Sequence, residues 1–331
     1  MTDRPLISVV VPIFNEEQNV CKFLAAIRGA LAAVTENYEI VFAADPCTDR
    51  TLEIVRQENA ADARTKLLVF SRRFGQPAAT WAGLAHARGQ AIVVIDCDLQ
   101  DPPGLIPEMV RLWREGYKVV IPQRRSRKGE NVLKRLIAYL GYKFINKIAT
   151  VPIPRNTGDF RLLDRVVVDE LLNLQECHGF LRGLTAVVGF KTVLLPFDRD
   201  PRFSGKGKYN PITGSLRIGF NGIIAFSDYL LNLMVFLGFG MAGLAVVAMG
   251  TVACLKATGT YDFAAGLATV AILVLFLTGT QFIGMGVLGA YVGRIYDETK
   301  RRPKFIVEER VGFSAEGHPS AGNPSPEQVP R

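Results

Sequence analysis

Short runs of β-branched and aliphatic residues recur along the first part of the chain, at 7–11, 39–42, 67–70, 92–95 and 119–121. Between them, at 17–34, 48–59, 77–87 and 105–115, lie stretches with a helical pattern. Strand and helix in alternation predict an α/β fold, a mostly parallel sheet with helices on both faces. The ligand crevice of such a sheet lies beyond the carboxyl ends of its strands, so the polar residues just after each run are the first functional candidates.

The pattern changes near residue 229. Residues 230–255 and 263–293 contain no charged side chain, and each stretch exceeds the ~20 apolar residues that cross a bilayer. Spans at 229–256 and 263–293, joined by the turn 256–262, predict a two-helix transmembrane hairpin with both flanks on one side. Arg294, Lys300, Arg301, Arg302 and Lys304 follow the second span, whereas the turn carries only Lys256 and Asp262. That asymmetry predicts a cytoplasmic N-terminal domain and tail at an inner membrane.

Two flanking stretches are amphipathic. In 131–149, Leu133, Leu136, Ile137, Leu140, Phe144 and Ile148 share a helical face, and in 212–227 so do Leu216, Phe220, Ile223 and Ser227. A core-facing helix and an interfacial one both produce this pattern; adjacency to the spans favours the interface. The division is then a cytoplasmic domain at 1–210, a juxtamembrane helix at 211–228, the two spans, a tail with a possible strand at 294–311, and a disordered Pro-, Gly- and Ser-rich end at 312–331.

Composition narrows the partners. With 331 residues, 49% of them hydrophobic, and a net charge of +8, the chain suits phosphates, anionic lipid or nucleic acid. Nucleic acid is not expected, since no RRM, KH or helix-turn-helix pattern occurs. The five cysteines, Cys21, Cys47, Cys97, Cys177 and Cys254, show no CxxC spacing, and His86, His178 and His318 are far apart. Disulfides and zinc are not expected, and any metal must sit on carboxylates. The opening residues are polar and lead straight into the first strand, so no signal peptide is expected.

The chemistry concentrates after the strands. Asp96-Cys97-Asp98 closes the fourth run; with Gln100 it makes an all-oxygen set suited to Mg2+ or Mn2+, which keep water and phosphate as their other ligands. After the first two runs come Phe14-Asn15-Glu16 and Asp45-Pro46-Cys47-Thr48, where Phe14 could stack on a base and Asp45 accept its imino proton. Asn15 and Thr48 serve equally well as helix N-caps.

Residues 8–17, 45–49, Ser71-Arg72-Arg73-Phe74-Gly75, 96–103 and Gly158-Asp159-Phe160-Arg161 occur in this order. Together they resemble the family-2 glycosyltransferases that use polyprenyl phosphate, a group including dolichyl-phosphate mannose synthases and bactoprenol glucosyltransferases. The resemblance implies a GT-A-type fold, a nucleotide-sugar donor, a polyprenyl phosphate acceptor, a divalent metal and a homotetramer. By the same resemblance Pro12, Phe14, Glu16, Asp45 and Asp96 contact the nucleotide. Asp96, Asp98 and Gln100 serve metal and diphosphate; Arg124, Arg199, Arg202 and Lys208 meet the acceptor. Asp98 and Asp159 are the candidate catalytic residues, Asp159 as base. The chain departs from the family pattern at Ala44-Asp45, where two aspartates are usual, at Pro46-Cys47, where Gly-Ser is usual, and at Gly207, where a Ser usually precedes the Lys.

A phosphate monoester has its second pKa near ~6 and is largely dianionic at neutral pH, so it attacks an anomeric carbon without first losing a proton. Asp159 is then either a base or a positioning group. The arginines either bind acceptor or draw the protein to anionic lipid. In-line displacement predicts inversion. A processive polysaccharide synthase needs a Gln-x-x-Arg-Trp motif that this chain lacks, and a nucleotide-sensing scaffold would not need the aspartates. The residues do not reveal the sugar; the resemblance implies UDP-glucose as donor, with UDP-galactose, UDP-GlcNAc, GDP-mannose and an aminoarabinose donor open. Gly289 and Gly293 form a GxxxG pair and Gly240 and Gly243 thin the first span, suiting either self-association or packing within the hairpin.

Overall fold

The computed structural model describes residues 6–125, 154, 157–174, 181–197, 229–258, 267–300 and 302–313. The chain forms two compact units, one of residues 1–142, 151–208 and 301–331, the other of 143–150 and 209–300.

The first unit is built on one eight-stranded sheet: β1 (Ile7–Ile13), β2 (Tyr38–Ala44), β3 (Thr65–Phe70), β4 (Ala91–Val94), β5 (Val119–Arg124), β6 (Arg161–Asp164), β7 (Thr192–Phe197) and β8 (Val307–Val311), ordered β7-β5-β6-β4-β1-β2-β3-β8. Every residue of β1 and β2 is buried. Apart from Ser8 and Glu39, where the Ser8 hydroxyl donates to the Glu39 carboxylate, these are the apolar runs that a parallel strand covered on both faces requires. β1, β2, β3 and β4 pair in parallel, as β5 does with β7; β6 runs antiparallel between β4 and β5, and β8 antiparallel to β3. The sheet is therefore mixed rather than wholly parallel.

On one face Val9, Val11, Phe42 and Val93 pack with Phe23, Leu24 and Ile27 of α1 (Val20–Ala32), Val55 of α2 (Thr51–Ala61) and Met109 and Val110 of α4 (Ile106–Arg114). On the other, Val41, Ala43, Leu68 and Phe70 receive Ala79 and Ala82 of α3 (Gln76–His86). Helix α3 comes so close that a Cβ on Gly83 would collide with the side chain of Val10. Two shorter helices, α5 (Arg165–Asn173) and α6 (Leu181–Val187), follow β6.

The strand expected in the 294–311 tail is β8, which pairs with β3 of its own chain and is pinned by the Arg56–Glu309 ion pair at 2.6 Å. Phe305 adds a ring contact with Phe70 at 6.1 Å, and Lys304 Nζ lies 4.2 Å from the Trp81 ring centroid.

In the second unit, helices α7 (Tyr229–Ala257) and α8 (Leu267–Thr299) coincide with the two apolar stretches. Helix α8 runs on past the apolar run through Arg294, Asp297 and Glu298. Large apolar side chains stand exposed along both, among them Phe236, Phe239 and Leu244 on α7 and Phe276, Phe282 and Met285 on α8. Among the described residues one stretch, Phe276–Thr299, is long and apolar enough to cross a bilayer by length and composition. Gly284 faces Met234, whose Sδ would lie 3.7 Å from an added Cβ, whereas Gly240, Gly243, Gly289 and Gly293 have open space around them. The amphipathic stretches expected at 131–149 and 212–227 lie outside the described residues.

Candidate active site

Strand register gathers the candidates of the first unit. Strand β4 ends at Val94, opposite Val10 of β1. Beyond that point β1 has lost a neighbour, and Pro12, with no N–H to give to a ladder, lies there. Because β6 is antiparallel to β4, with Val94 opposite Arg161, the residues just before β6 sit at the edge where β4 releases Asp96. A bridge between Gln123 and Thr157 brings the same turn beside Arg124. Asp96, Asp98, Arg124 and Asp159 thus meet at one crevice although they are far apart in sequence.

The Asp96 carboxyl is pushed up to about 7, first by burial and then by the charges of Asp159, Asp98 and Asp101; Oδ1 accepts a hydrogen bond from Gln76 Nε2 at 2.8 Å, which opposes the rise. Asp98 Oδ1 accepts from the Gln100 backbone N–H at 3.1 Å, and this turn carries Leu99 at φ 57, in the left-handed region. A branched residue held there costs of order 1 kcal/mol and marks a backbone the surroundings dictate. Crowded carboxylates with one raised pKa are a donor set that a divalent cation relieves. Among the described residues no three His, Cys, Asp or Glu side chains gather as a metal cage. Two carboxylates at this spacing suit Mg2+ or Mn2+, which take water and phosphate as their remaining ligands.

Asp159 forms a two-pronged ion pair with Arg182 of α6, Nε to Oδ1 at 2.8 Å and Nη2 to Oδ2 at 3.2 Å. Burial would raise the Asp159 carboxyl, but Arg182, followed by Arg161 and Arg124, holds it below the usual carboxylate range. Arg161 is buried, its pKa lowered to about 10 by desolvation. Its guanidinium donates to Gly158 O at 2.8 Å, Asp159 O at 3.3 Å and Thr185 Oγ1 at 3.0 Å. A second pair joins Arg124 Nη2 to Asp101 Oδ1 at 3.3 Å, and a Cβ on Gly158 would stand 3.2 Å from that Nη2. Arg124 Nε is buried with no hydrogen-bond partner among the described residues.

The nucleotide candidates lie around the ends of β1 and β2. Asp45 is buried, and its carboxylate accepts from the backbone N–H of Phe74 at 2.8 Å and of Gly75 at 3.0 Å. It thereby fixes the loop leading into α3, where Gly75 takes φ 90. Arg73 stacks on Phe14 at 4.3 Å. Glu16 donates its N–H to Thr51 Oγ1 at 2.8 Å, and its carboxylate accepts from Asn19 at 2.6 Å. Asn15 and Thr48 cap neither helix; Asn15 Nδ2 donates to Thr48 Oγ1 at 3.0 Å and Thr48 N donates to Asn15 Oδ1 at 2.9 Å. That reciprocal pair laces the two loops together. Cys47 takes part, its sulfur accepting from Asn15 N at 3.4 Å, with burial pushing the thiol upward.

Arg199, Arg202 and Lys208 lie outside the described residues. Four residues at the site were not among the sequence candidates: Gln76, Asp101, Arg161 and Arg182. Asp101 and Arg161 stood inside recognised strings, and Gln76 one position beyond another. Arg182 had no signal, since its partner is 23 positions away and only the fold joins them.

The fold is a GT-A-like mixed α/β sheet with acidic and basic groups at its strand ends. Residues 8–172 match the family model for glycosyl transferase family 2. The chain is 41% identical over 306 residues to an uncharacterized glycosyltransferase of Bacillus subtilis, YkcC, covering 92% of this chain and 94% of that protein. It is 37% identical to the prophage bactoprenol glucosyl transferase homolog of Escherichia coli K12, and 36% identical to the bactoprenol glucosyl transferase of Shigella phage SfV. Each of those matches covers 91% of this chain and 98% of the relative. The chain belongs to glycosyltransferase family 2 and is a glycosyltransferase.

Proposed function

We propose that this enzyme transfers glucose from UDP-glucose to undecaprenyl or a related polyprenyl phosphate, with inversion, at the cytoplasmic face of a membrane. The observation that carries the reading is the meeting of carboxylates and arginines at one crevice: Asp96 and Asp98 on one side, the Asp159–Arg182 and Asp101–Arg124 pairs on the other. A reaction between two polyanions needs one set for each. The names of the relatives from Escherichia coli and phage SfV support glucose and a prenyl carrier.

In this reading Pro12, Phe14, Glu16 and Asp45 shape the nucleotide pocket, Asp45 by holding the Phe74-Gly75 loop. Asp96, Asp98 and Gln100 hold Mg2+ or Mn2+, which when bound neutralises charge on the departing diphosphate. Arg124 acts on the acceptor from within the sheet, and Arg199, Arg202 and Lys208 act with it. The division at 1–210, 211–228, 229–256, 263–293, 294–311 and 312–331 belongs to the proposal. So do the two-span hairpin and a homotetrameric assembly. The exposed apolar side chains of α7 and α8 support a lipid setting for them.

Purified protein incubated with undecaprenyl phosphate and a panel of radiolabelled nucleotide-sugars tests the proposal. UDP-glucose should label the lipid fraction fastest. Faster labelling from GDP-mannose, UDP-GlcNAc, UDP-galactose or an aminoarabinose donor would replace glucose, and no lipid labelling from any donor would remove the acceptor.

A further inference from the structure

We infer that Arg161 is a positioning residue of the transfer reaction, setting where Asp159 stands in the crevice by tying the Gly158-Asp159 turn to α6, an inference that rests on the polyprenyl-phosphate reading above.

Arg161 opens β6, opposite Val94 of β4, and is only 1% exposed. Taking a guanidinium out of water is costly unless its donors find partners. An apolar side chain would fill the same space at less cost, so the packing of the sheet alone does not account for it.

The partners of the guanidinium do. Nε donates to Asp159 O at 3.3 Å and Nη2 to Gly158 O at 2.8 Å, both in the turn before β6. Nη1 donates instead to α6, to Thr185 Oγ1 at 3.0 Å and Leu181 O at 3.5 Å. Thr185 adds a link of its own, donating to Leu181 O at 2.6 Å. Each of these acceptors is uncharged, so the fork is used on backbone and a hydroxyl rather than on an ion pair. The nearby charges are Asp159, which favours the cation, and Arg182, which opposes it.

The two segments so joined carry the two halves of one ion pair. Asp159 comes from the turn and Arg182 from α6, directly after Leu181, and they meet at 2.8 and 3.2 Å. Both side chains are about one-third exposed (33% and 31%), and a partly exposed pair holds two backbones weakly on its own. Buried Arg161 supplies the rigid link. Phe160, between Asp159 and Arg161, is buried in the core that also holds Val93 and Ile95, which anchors the turn on the sheet as well as on α6.

Asp159 acts from one place whether it takes a proton or holds the acceptor. Catalysis falls steeply with misplacement, a shift of about 1 Å costing ~10²-fold. Lysine is a poor stand-in for Arg161, since an ammonium is a compact point charge and does not span two segments as a planar fork does.

Acceptor kinetics with undecaprenyl phosphate, UDP affinity by calorimetry and a structure of the variant test this together. Absence of lipid glucosylation by the unmodified enzyme would sink the underlying reading, whereas the inference fails by the outcomes that follow. Arg161→Lys should lower kcat/KM for the acceptor at least about tenfold while UDP affinity stays within about twofold. In a structure of that variant the Asp159 carboxylate should stand ~1 Å or more from its present place, with Asp96 and Asp98 unmoved. In the Asp159→Asn background the same change should cost no more than about twofold, because a residue acting through Asp159 has nothing further to lose. An equal loss in both backgrounds would show a general effect on the fold and overturn the assignment, as would an unmoved Asp159. If Arg161→Lys binds no UDP and is thus misfolded, Thr185→Val, which leaves Arg161 its backbone acceptors, must show the same pattern at about two- to tenfold.

Discussion

Asp96 sits in a strongly perturbed environment, and its behaviour follows first from burial and then from the charges around it. Its carboxyl titrates at about 7, far above the ordinary value, because burial and three neighbouring aspartates oppose ionisation. A cation binding there must displace a proton at lower pH. Affinity for Mn2+, measured by calorimetry, should therefore weaken about tenfold per pH unit below 7 and level off above it; affinity constant from pH 5.5 to 8 would contradict this. The sign for stability is the reverse. A carboxyl whose folded pKa is raised costs the folded state stability once pH exceeds the unfolded value of ~3.9. Asp96→Asn should raise the melting midpoint of metal-free protein at pH 7 while abolishing turnover. Asp98→Asn should lower turnover by ~10²-fold or more, and EDTA should do the same to the parent enzyme. Full activity in excess EDTA would exclude the metal.

At the scale of elements, the site depends on how the sheet is ordered. The five opening strands and four helices were legible in the sequence because each holds a short, mainly apolar run or a helical pattern between polar loops. The antiparallel strand β6 was not, since Arg161–Asp164 is four residues long and begins and ends on charge. Without β6 the nearness of Asp159 to Asp96 has no geometric basis, which is why only a family resemblance tied them together. Arg182 was hidden for the same reason, and Asn15 and Thr48 bond each other because their loops adjoin only in the folded sheet. Helix α3 carries Gln76 to Asp96 through close packing at Gly83, where any side chain meets Val10. Gly83→Val should cost roughly 1–3 kcal/mol by overpacking and lower activity as Gln76 shifts; denaturant midpoints read the first and turnover the second. An unchanged midpoint would mean that α3 sits further from β1.

At the scale of the whole molecule, the proposed function requires a membrane anchor. The proposed hairpin places only the turn around residue 260 outside and residue 310 inside. Single cysteines introduced on a background without native cysteines, probed in intact cells with an impermeant maleimide, should label at 260 and stay protected at 310. The reverse pattern would invert the topology. An added Cβ on Gly289 or Gly293 would meet no described atom within 4 Å, and glycines spaced in this way permit close packing of a second helix. Gly289→Leu should then reduce the detergent-corrected mass from a multimer toward one chain. A single-chain mass in the parent protein would remove self-association.

In the proposed reaction a prenyl phosphate oxygen displaces UDP from the sugar in one inverting step. The most direct measurement is the identity and anomeric configuration of the product, purified from UDP-glucose and undecaprenyl phosphate and read by proton NMR. Inversion should give a lipid-linked phosphoglucose with the large anomeric coupling of a β-glucoside, opposite to the α-linked donor. An α-linked product, or glucose recovered only as free sugar or polymer, would contradict it.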